Sequence, residues 1–399
     1  MIKKLNLTVR EAFNYALENH KKNNYPVAIN AYMAILKINP THVGALNNLG
    51  AVFNDTNEYK KAIDCYERAI KVDLNYTEAH CNLGTAHGKL GEYQKAIDCY
   101  ERAIKVDPSY EAAYNNLGAA FQELGKNQKA KTCYKKAIEI APNYTQAYWN
   151  LHSTSSNIDD ALIVLKRLHE IDNKHIKSKI MISALHGFKG NFDDFNNLLV
   201  SRDADHPHSR SIKWVFSLPK LPKLFFNYCD FFDAVIELTD DSRPFYEFGV
   251  WKGVSFKYLI NKFKKGFGFD TFTGIPNSWH NVPKDHYSSF GEVPEVEGGE
   301  FIVGKFEDTL PKFFSEEKPI ASLINFDADL YSSTLCALNY SNKIIDKKTI
   351  LVFDEFIMNK NWEKDEYKAL NDFCDSLKIS YEVLAVSFCT GQVAVKLIK

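Results

Sequence analysis

The chain has 399 residues, 45% of them apolar and 25% charged, with a formal net charge of −1. That length asks for two or three domains and that composition for a folded globular protein. The balanced charge excludes a bulk electrostatic attraction to nucleic acid or to membrane surfaces.

No apolar run approaches a membrane span, and the start, M-I-K-K-L-N-L-T, is expected to lead into polar helix without a long apolar segment to translocate. Gly50, Gly84 and Gly118 then recur at one constant interval, as do Ala62, Ala96 and Ala130, Tyr66, Tyr100 and Tyr134, and Ala69, Ala103 and Ala137. Pro108 and Pro142 close two of the units. Leu, Gly, aromatic, Ala, Tyr, Ala and Pro in this fixed order resembles the tetratricopeptide repeat family, whose helical hairpins of about 34 residues stack into a solenoid. An earlier unit keeps the phase over residues 9–42, with Ala28, Tyr32 and Pro40, and degenerate hairpins follow over 145–173 and 174–200. The expectation is an all-α tetratricopeptide solenoid of five or six hairpins over residues 1–200. Cys65, Cys99 and Cys133 fall in the same phase, so their spacing reports duplication. With eight cysteines and no C-x-x-C, a reduced, cytoplasmic protein is expected.

The first helix of each unit carries an aligned asparagine: Asn48, Asn82, Asn116 and Asn150. In the resembled family such residues line the concave surface, and in the glycosyltransferase that attaches N-acetylglucosamine to proteins a ladder of this kind holds the peptide backbone. An amide offers donor and acceptors together, so it can grip a main chain without reading side chains. The resemblance thus implies a peptide or protein partner; the alternative is a solvated consensus residue with no ligand.

Residues 201–242 read as a joining region, polar and turn-rich at S-R-D-A-D-H-P-H-S-R, then short aromatic helices around 212–217 and 224–238. Phe225, Phe226, Tyr228, Phe231 and Phe232 are expected to pack on the next domain.

Residues 243–399 carry the chemistry. The stretch F-Y-E-F-G-V-W-K-G, from Phe245 to Gly253, reads as strand, tight turn and helix, the helix running over 254–263. Glycine at 249 and 253 permits close approach and φ > 0, and the first amides of the helix point above the end of the strand, where open α/β sheets take ligands. The spacing is E-x-G-x-x-x-G and not G-x-G-x-x-G. Glu247 would repel a pyrophosphate and suits a cation, as in the sulfonium and ammonium of S-adenosylmethionine. Further strands are expected at 267–270, 301–305, 322–326, 350–353, 382–386 and 392–397, with helices between the first five and a turn at Thr390-Gly391. Such alternation demands parallel strands with right-handed crossovers, and the closing hairpin reverses one strand at the edge. Asp270 ends the second strand, about 20 residues beyond the glycine turn, where an acid can chelate ribose hydroxyls. Phe306, Glu307 and Asp308 follow the third strand, placed to lie over an adenine.

V-W-K-G-V-S, G-F-D-T-F-T-G-I-P, K-F-E-D-T-L-P, F-D-A-D-L-Y-S-S-T and V-F-D-E-F, in that order over residues 245–356, resemble the macrocin O-methyltransferase family. Its members methylate sugar hydroxyls of macrolides with S-adenosylmethionine and magnesium. The resemblance implies a Rossmann-like, seven-stranded class I methyltransferase domain. It implies a donor site at Glu247, Gly249, Gly253, Ser255, Asp270, Phe306, Glu307 and Asp327, and Mg²⁺ held by Asp327, Asp354 and Glu355. The family usually has Asp-Asp-Tyr where this chain has Asp354-Glu355-Phe356, so Glu355 reaches with a longer arm. Acids gathered at adjacent strand ends repel one another unless a cation or proton intervenes, and hard oxygen ligands suit Mg²⁺. The implied mechanism is in-line displacement at the methyl group, with the metal polarising the acceptor hydroxyl and Asp327 taking its proton. Tyr331 shapes the pocket or packs. Residues 277–299, rich in Gly, Pro and aromatics, read as a lid, with His280 and His286 as loop bases or solvated residues.

Three functions fit: an O-methyltransferase acting on a glycan or small-molecule acceptor, a protein methyltransferase fed by the repeats, and a silent scaffold. The acceptor and the oligomeric state have no sequence signature.

Overall fold

The computed structural model describes residues 8–279, 284 and 287–398 and divides into two compact units, Met1–Leu151 and His152–Lys399. In the first unit, helices pair as hairpins: α1 (Val9–Lys21) with α2 (Tyr25–Ile38), α3 (Val43–Asp55) with α4 (Tyr59–Val72), α5 (Thr77–Lys89) with α6 (Tyr93–Val106), and α7 (Glu111–Glu123) with α8 (Asn127–Ile140). The helix α9 (Thr145–His152) ends at the division.

The repeat period has a packing cause. A Cβ added at Gly50, Gly84 or Gly118 would stand 2.6, 2.7 or 2.6 Å from Cε1 of Tyr66, Tyr100 or Tyr134. The absent side chain is the slot for the tyrosine ring of the paired helix, as close packing requires. The alanines at 62, 96 and 130 and at 69, 103 and 137 are fully buried, small enough for the helices to approach. A second periodic feature sits in the turn within each hairpin. Asn23, Asn57, Gly91 and Gly125 adopt φ of 57°, 61°, 69° and 69°, a left-handed conformation that Asn and Gly reach most readily.

The second unit opens with α10 (Ile158–Ile171), α11 (Ile176–Phe188), α12 (Asp193–Leu199) and α13 (Pro207–Phe216). The two degenerate hairpins therefore share a compact unit with the sheet, and the division falls well before the expected boundary at residue 200.

The mixed sheet contains β1 (Lys223–Phe225), β2 (Phe245–Phe248), β3 (Gly266–Asp270), β4 (Gly299–Val303), β5 (Leu323–Phe326), β6 (Ile350–Phe353), β7 (Ser380–Ser387) and β8 (Val393–Ile398). Their spatial order is β1-β7-β8-β6-β5-β2-β3-β4. Every pairing is parallel except those of β8 with β6 and β7. Helices α14 (Tyr228–Ile236), α15 (Val254–Phe263), α16 (Phe306–Phe313), α17 (Tyr331–Ser341) and α18 (Glu366–Leu377) accompany it.

Two expectations are corrected here. Residues 201–242 hold the two expected helices, α13 and α14, and also a strand that was not expected. They supply β1, paired with β7, and α14, whose Phe231, Phe232 and Val235 share a core with Phe245, Phe256 and Leu259. A strand as short as β1 cannot show a period. The reversed strand is also not at the edge, because β8 lies between β6 and β7. Its opening V-A-V is buried at all three positions, as a strand with neighbours on both sides must be.

Candidate active site at the sheet edge

Strands β2, β3, β5 and β6 run parallel, so their C-terminal ends share one edge. The chain moves outward from β2 through β3 to β4, then returns on the other side of β2 as β5. That leaves a switch point between β2 and β5, the place where open parallel sheets bind ligands. Three of these strands end in Phe followed by Asp: Phe269-Asp270, Phe326-Asp327 and Phe353-Asp354. The fourth ends Phe248-Gly249. The phenylalanines stack across the sheet, Phe248 on Phe269 at 4.8 Å, Phe248 on Phe326 at 5.4 Å and Phe326 on Phe353 at 4.8 Å. Just beyond them the ladder continues, Asp327 N donating to Phe248 O at 2.8 Å and Asp354 N to Phe326 O at 2.9 Å. The acids therefore stand level with one another beside a dry aromatic row, where low polarisability penalises charge.

Glu247 points to the opposite face from that row. It is 0% exposed, Ser255 Oγ donates to its Oε1, and its Oε2 has no hydrogen-bond partner. Beside it in register on β5 is Asn325, 1% exposed, with Oδ1 also unpartnered. Burial pushes the Glu247 carboxyl up to about 8; the Ser255 hydroxyl and the Asn325 amide offset part of this, while Asp354 and Asp270 add to it.

Burial, then the charges of Asp354 and Asp329, raises Asp327 well above the usual carboxylate range. Burial and Asp354 put Asp329 at about 7; burial, Asp329 and Asp354 put Glu355 at about 8. Asp354 Oδ1 accepts from Gln392 Nε2 at 2.6 Å. Among the described residues no three His, Cys, Asp or Glu side chains stand close enough to hold a metal ion, which accords with mutual repulsion between bare carboxylates. The segment after β6 is braced by α13: Arg210 Nε donates to Glu363 Oε1 at 2.6 Å, Arg210 Nη2 to Lys360 O at 2.9 Å, and Met358 N to Ser211 Oγ at 2.9 Å.

Other expected site residues have work within the chain. Asp270 Oδ2 accepts from Val250 N at 2.8 Å and Trp251 N at 2.7 Å, and Oδ1 from Phe272 N at 2.7 Å. The acid expected to hold a ribose is thus the pin of the β2–α15 turn. Gly249 has φ of 92°, and a Cβ there would land inside the Asp327 carbonyl oxygen. The close approach seen there is to the chain itself. Gly253, φ 70°, precedes α15, and Pro294 Cγ lies 3.2 Å from where its Cβ would stand. Phe306 meets Phe248 edge-on at 5.7 Å, and Glu307 is exposed in the first turn of α16. Tyr331 OH ties α17 to α18 through Asp372 Oδ2 at 2.6 Å. His280 and His286 lie outside the described residues.

Sequence reasoning missed Asn325 and Gln392. A polar residue inside the buried run L-I-N-F was a readable signal for the first; the second carried none.

In the repeat unit the asparagine ladder is internally bonded. Asn82 Nδ2 donates to Asn47 Oδ1 at 3.0 Å, Asn116 Nδ2 to Cys81 Sγ at 3.6 Å and Asn150 Nδ2 to Asn115 Oδ1 at 2.9 Å. Each reaches the residue before the ladder position of the previous hairpin. Their oxygens are engaged too, Asn48 Oδ1 by Asn47 at 3.3 Å and Asn116 Oδ1 by Asn115 at 3.2 Å. The ladder joins hairpins, and each of its members is half-buried.

The family model described as "Tetratricopeptide repeat" matches residues 77–110 and 111–144, and the one described as "TPR repeat" matches 52–91. No curated protein matches the chain. Among solved structures, MamA is 30% identical, the match covering 41% of this chain and 96% of MamA with a TM-score of 0.36. A thermophilic TPR protein of Thermus thermophilus is 17% identical over 45% of this chain and 99% of its own, TM-score 0.41. PilF of Pseudomonas aeruginosa is 18% identical over 48% and 90%, TM-score 0.44. Among the described residues no helix is long and apolar enough to cross a membrane.

Proposed function

The chain is a tetratricopeptide-repeat protein, and from that premise we propose that its sheet-bearing unit is an S-adenosylmethionine-dependent, magnesium-assisted O-methyltransferase. Its acceptor is a sugar or natural-product hydroxyl, and its repeats serve a peptide or protein partner. The observation that carries this reading is the pair Glu247 and Asn325, buried at the switch point with one acceptor oxygen each left unpartnered. Buried acceptors without donors are costly, about 1–3 kcal/mol each, and a cationic group is what such a pair fits. The strand order and the acids lining one edge support the same class I methyltransferase reading.

Asp327, Asp354 and Glu355 carry the hard oxygens that Mg²⁺ takes, but among the described residues no three such side chains stand close enough to hold it, so the ion would have to draw them together. When bound, the two groups would supply an electrophilic methyl and a lowered acceptor pKa. The chain's own part is separable. Glu247 and Asn325 orient the cationic end of the donor, and Asp270 holds the turn that shapes its seat. Trp251 and Phe306 exclude water, and Asp327 takes the hydroxyl proton at a carboxylate oxygen. Asp327 is raised well above the usual range, so it can act as a base only when nearby positive charge brings it down.

Titration calorimetry with S-adenosylmethionine, with and without Mg²⁺, is the test, followed by mass analysis of sugars and peptides for a methyl gain. Glu247→Ala should weaken donor binding at least tenfold, about 1.4 kcal/mol, and chelation should stop turnover. Wild-type protein that binds no donor would leave a binding role alone.

A further inference from the structure

We infer that the Tyr228 hydroxyl holds the carboxylate at the amino-acid end of the methyl donor, beside the seat that Glu247 and Asn325 make for its cationic groups. The inference rests on the reading of this unit as an S-adenosylmethionine enzyme, and adds to it a recognition residue.

Topology brings Tyr228 to the donor's edge. Strand β1 pairs parallel with β7, and β7 and β6 are both antiparallel to β8, so β1 ends at the edge where β2, β5 and β6 end. Only Phe226 and Asn227 separate β1 from α14, whose first residue is Tyr228. The face of the sheet is shared as well. Glu247 stands two residues after Phe245 on β2 and points to the same side. Phe245 lies in the core that Phe231 and Phe232 of α14 enter and that Tyr228 packs against. There the Tyr228 ring meets the ring of Tyr258 on α15 at 5.2 Å. Tyr258 is one helical turn from Ser255, whose Oγ donates to Glu247.

The two tyrosines of this contact differ in their hydroxyls. Tyr258 OH donates to Asp233 Oδ1 at 2.8 Å. Tyr228 OH is buried with no partner, although the residue as a whole is half-buried, so the hydroxyl is the end turned inward. Phenylalanine would serve packing better here, since a buried hydroxyl left unbonded only loses its hydration. Burial, then Cys229 and Glu247, raises the Tyr228 phenol above its ordinary value, so it keeps its proton and acts as a donor. The unpartnered oxygens of Glu247 and Asn325 are both acceptors. They suit a sulfonium and an ammonium, and Glu247 would repel the carboxylate that S-adenosylmethionine carries beside its ammonium. An inward O–H on the same face offers that carboxylate a charge-assisted hydrogen bond.

Titration calorimetry on the full chain compares S-adenosylmethionine with its decarboxylated form, which keeps the sulfonium and the ammonium. The wild type should bind the carboxylated donor about tenfold more tightly, as one charge-assisted bond allows. Tyr228→Phe should bring the two Kd values within about twofold by weakening the carboxylated donor alone, with its Tm not lowered. If Tyr228→Phe does not fold, Tyr228→Met takes its place. No preference in the wild type, a preference kept in the variant, or an equal loss for both donors overturns the inference and leaves the donor site standing. Wild-type protein that binds neither donor overturns both.

Discussion

The two units differ in where they leave buried acids and amides. In the repeat unit, amides such as Asn82 and Asn150 find partners on the neighbouring hairpin. At the sheet edge, Glu247 and Asn325 are more deeply buried and keep oxygens with no partner. A solenoid gains stability from each satisfied neighbour, and its ladder amides close on one another, although Tyr32 OH and Asn54 Oδ1 are buried there without a partner. Unsatisfied groups survive where something else will satisfy them, and the difference separates a region built for stability from one built to receive a ligand.

Glycine substitution breaks the comparison most sharply. Gly50→Ala would push a methyl to 2.6 Å from the Tyr66 ring, which can turn aside for about 1–3 kcal/mol. Gly249→Ala meets the Asp327 backbone at φ of 92°, and a ladder cannot turn aside, so a loss above about 4 kcal/mol is expected. Urea unfolding followed by tryptophan fluorescence compares them; equal losses would mean that the sheet edge is as pliant as a repeat.

Asp270→Ala comes next. It strips the acceptor from three backbone N–H groups, each a charge-assisted bond of about 1.5–3 kcal/mol. The expected loss is about 3–5 kcal/mol of sheet-unit stability, together with weaker donor binding. Donor affinity that falls with stability intact would assign Asp270 to the ribose alone.

The pH dependence follows from Glu247. Its carboxyl titrates near 4.5 when unfolded and near 8 when folded. Between those values the native state holds the extra proton, so stability is greatest below about 4.5 and falls as pH rises through 8. Glu247→Gln should make that fall shallower by up to about 1.4 kcal/mol per pH unit. Identical slopes of ΔG against pH in the two proteins would mean that Glu247 ionises freely.

The repeats and the strands were largely legible because both obey a period. The Gly–Tyr slot returns at a constant interval along the chain, and apolar runs ending in Phe-Asp mark β3, β5 and β6. The Asn and Gly turn positions at 23, 57, 91 and 125 were equally periodic and went unread. Strand β1 was too short to read, and the interior place of β8 depends on pairing, which no local pattern encodes. Asp327 and Asp354 were found because they end strands. Gln392 was not, because it lies just before β8, far in sequence from Asp354, and reaches it only through the tertiary fold.

The smallest effect tests the repeat side. If the ladder asparagines are structural ties, Asn82→Ala removes one amide bond to Asn47 and leaves that buried oxygen short of a donor, at about 1 kcal/mol. Asn116→Ala loses only a long contact to Cys81 Sγ and should cost less. The ranking matters more than the size. A ladder kept for gripping a peptide would show little stability loss at any position and a uniform loss of partner affinity. A ladder of ties shows graded stability losses that follow the donor–acceptor distances, 3.0 Å at Asn82 and 2.9 Å at Asn150 against 3.6 Å at Asn116. Thermal unfolding of the three single variants, read by circular dichroism in the far ultraviolet, separates the two, and equal Tm values across the set would return the amides to the partner.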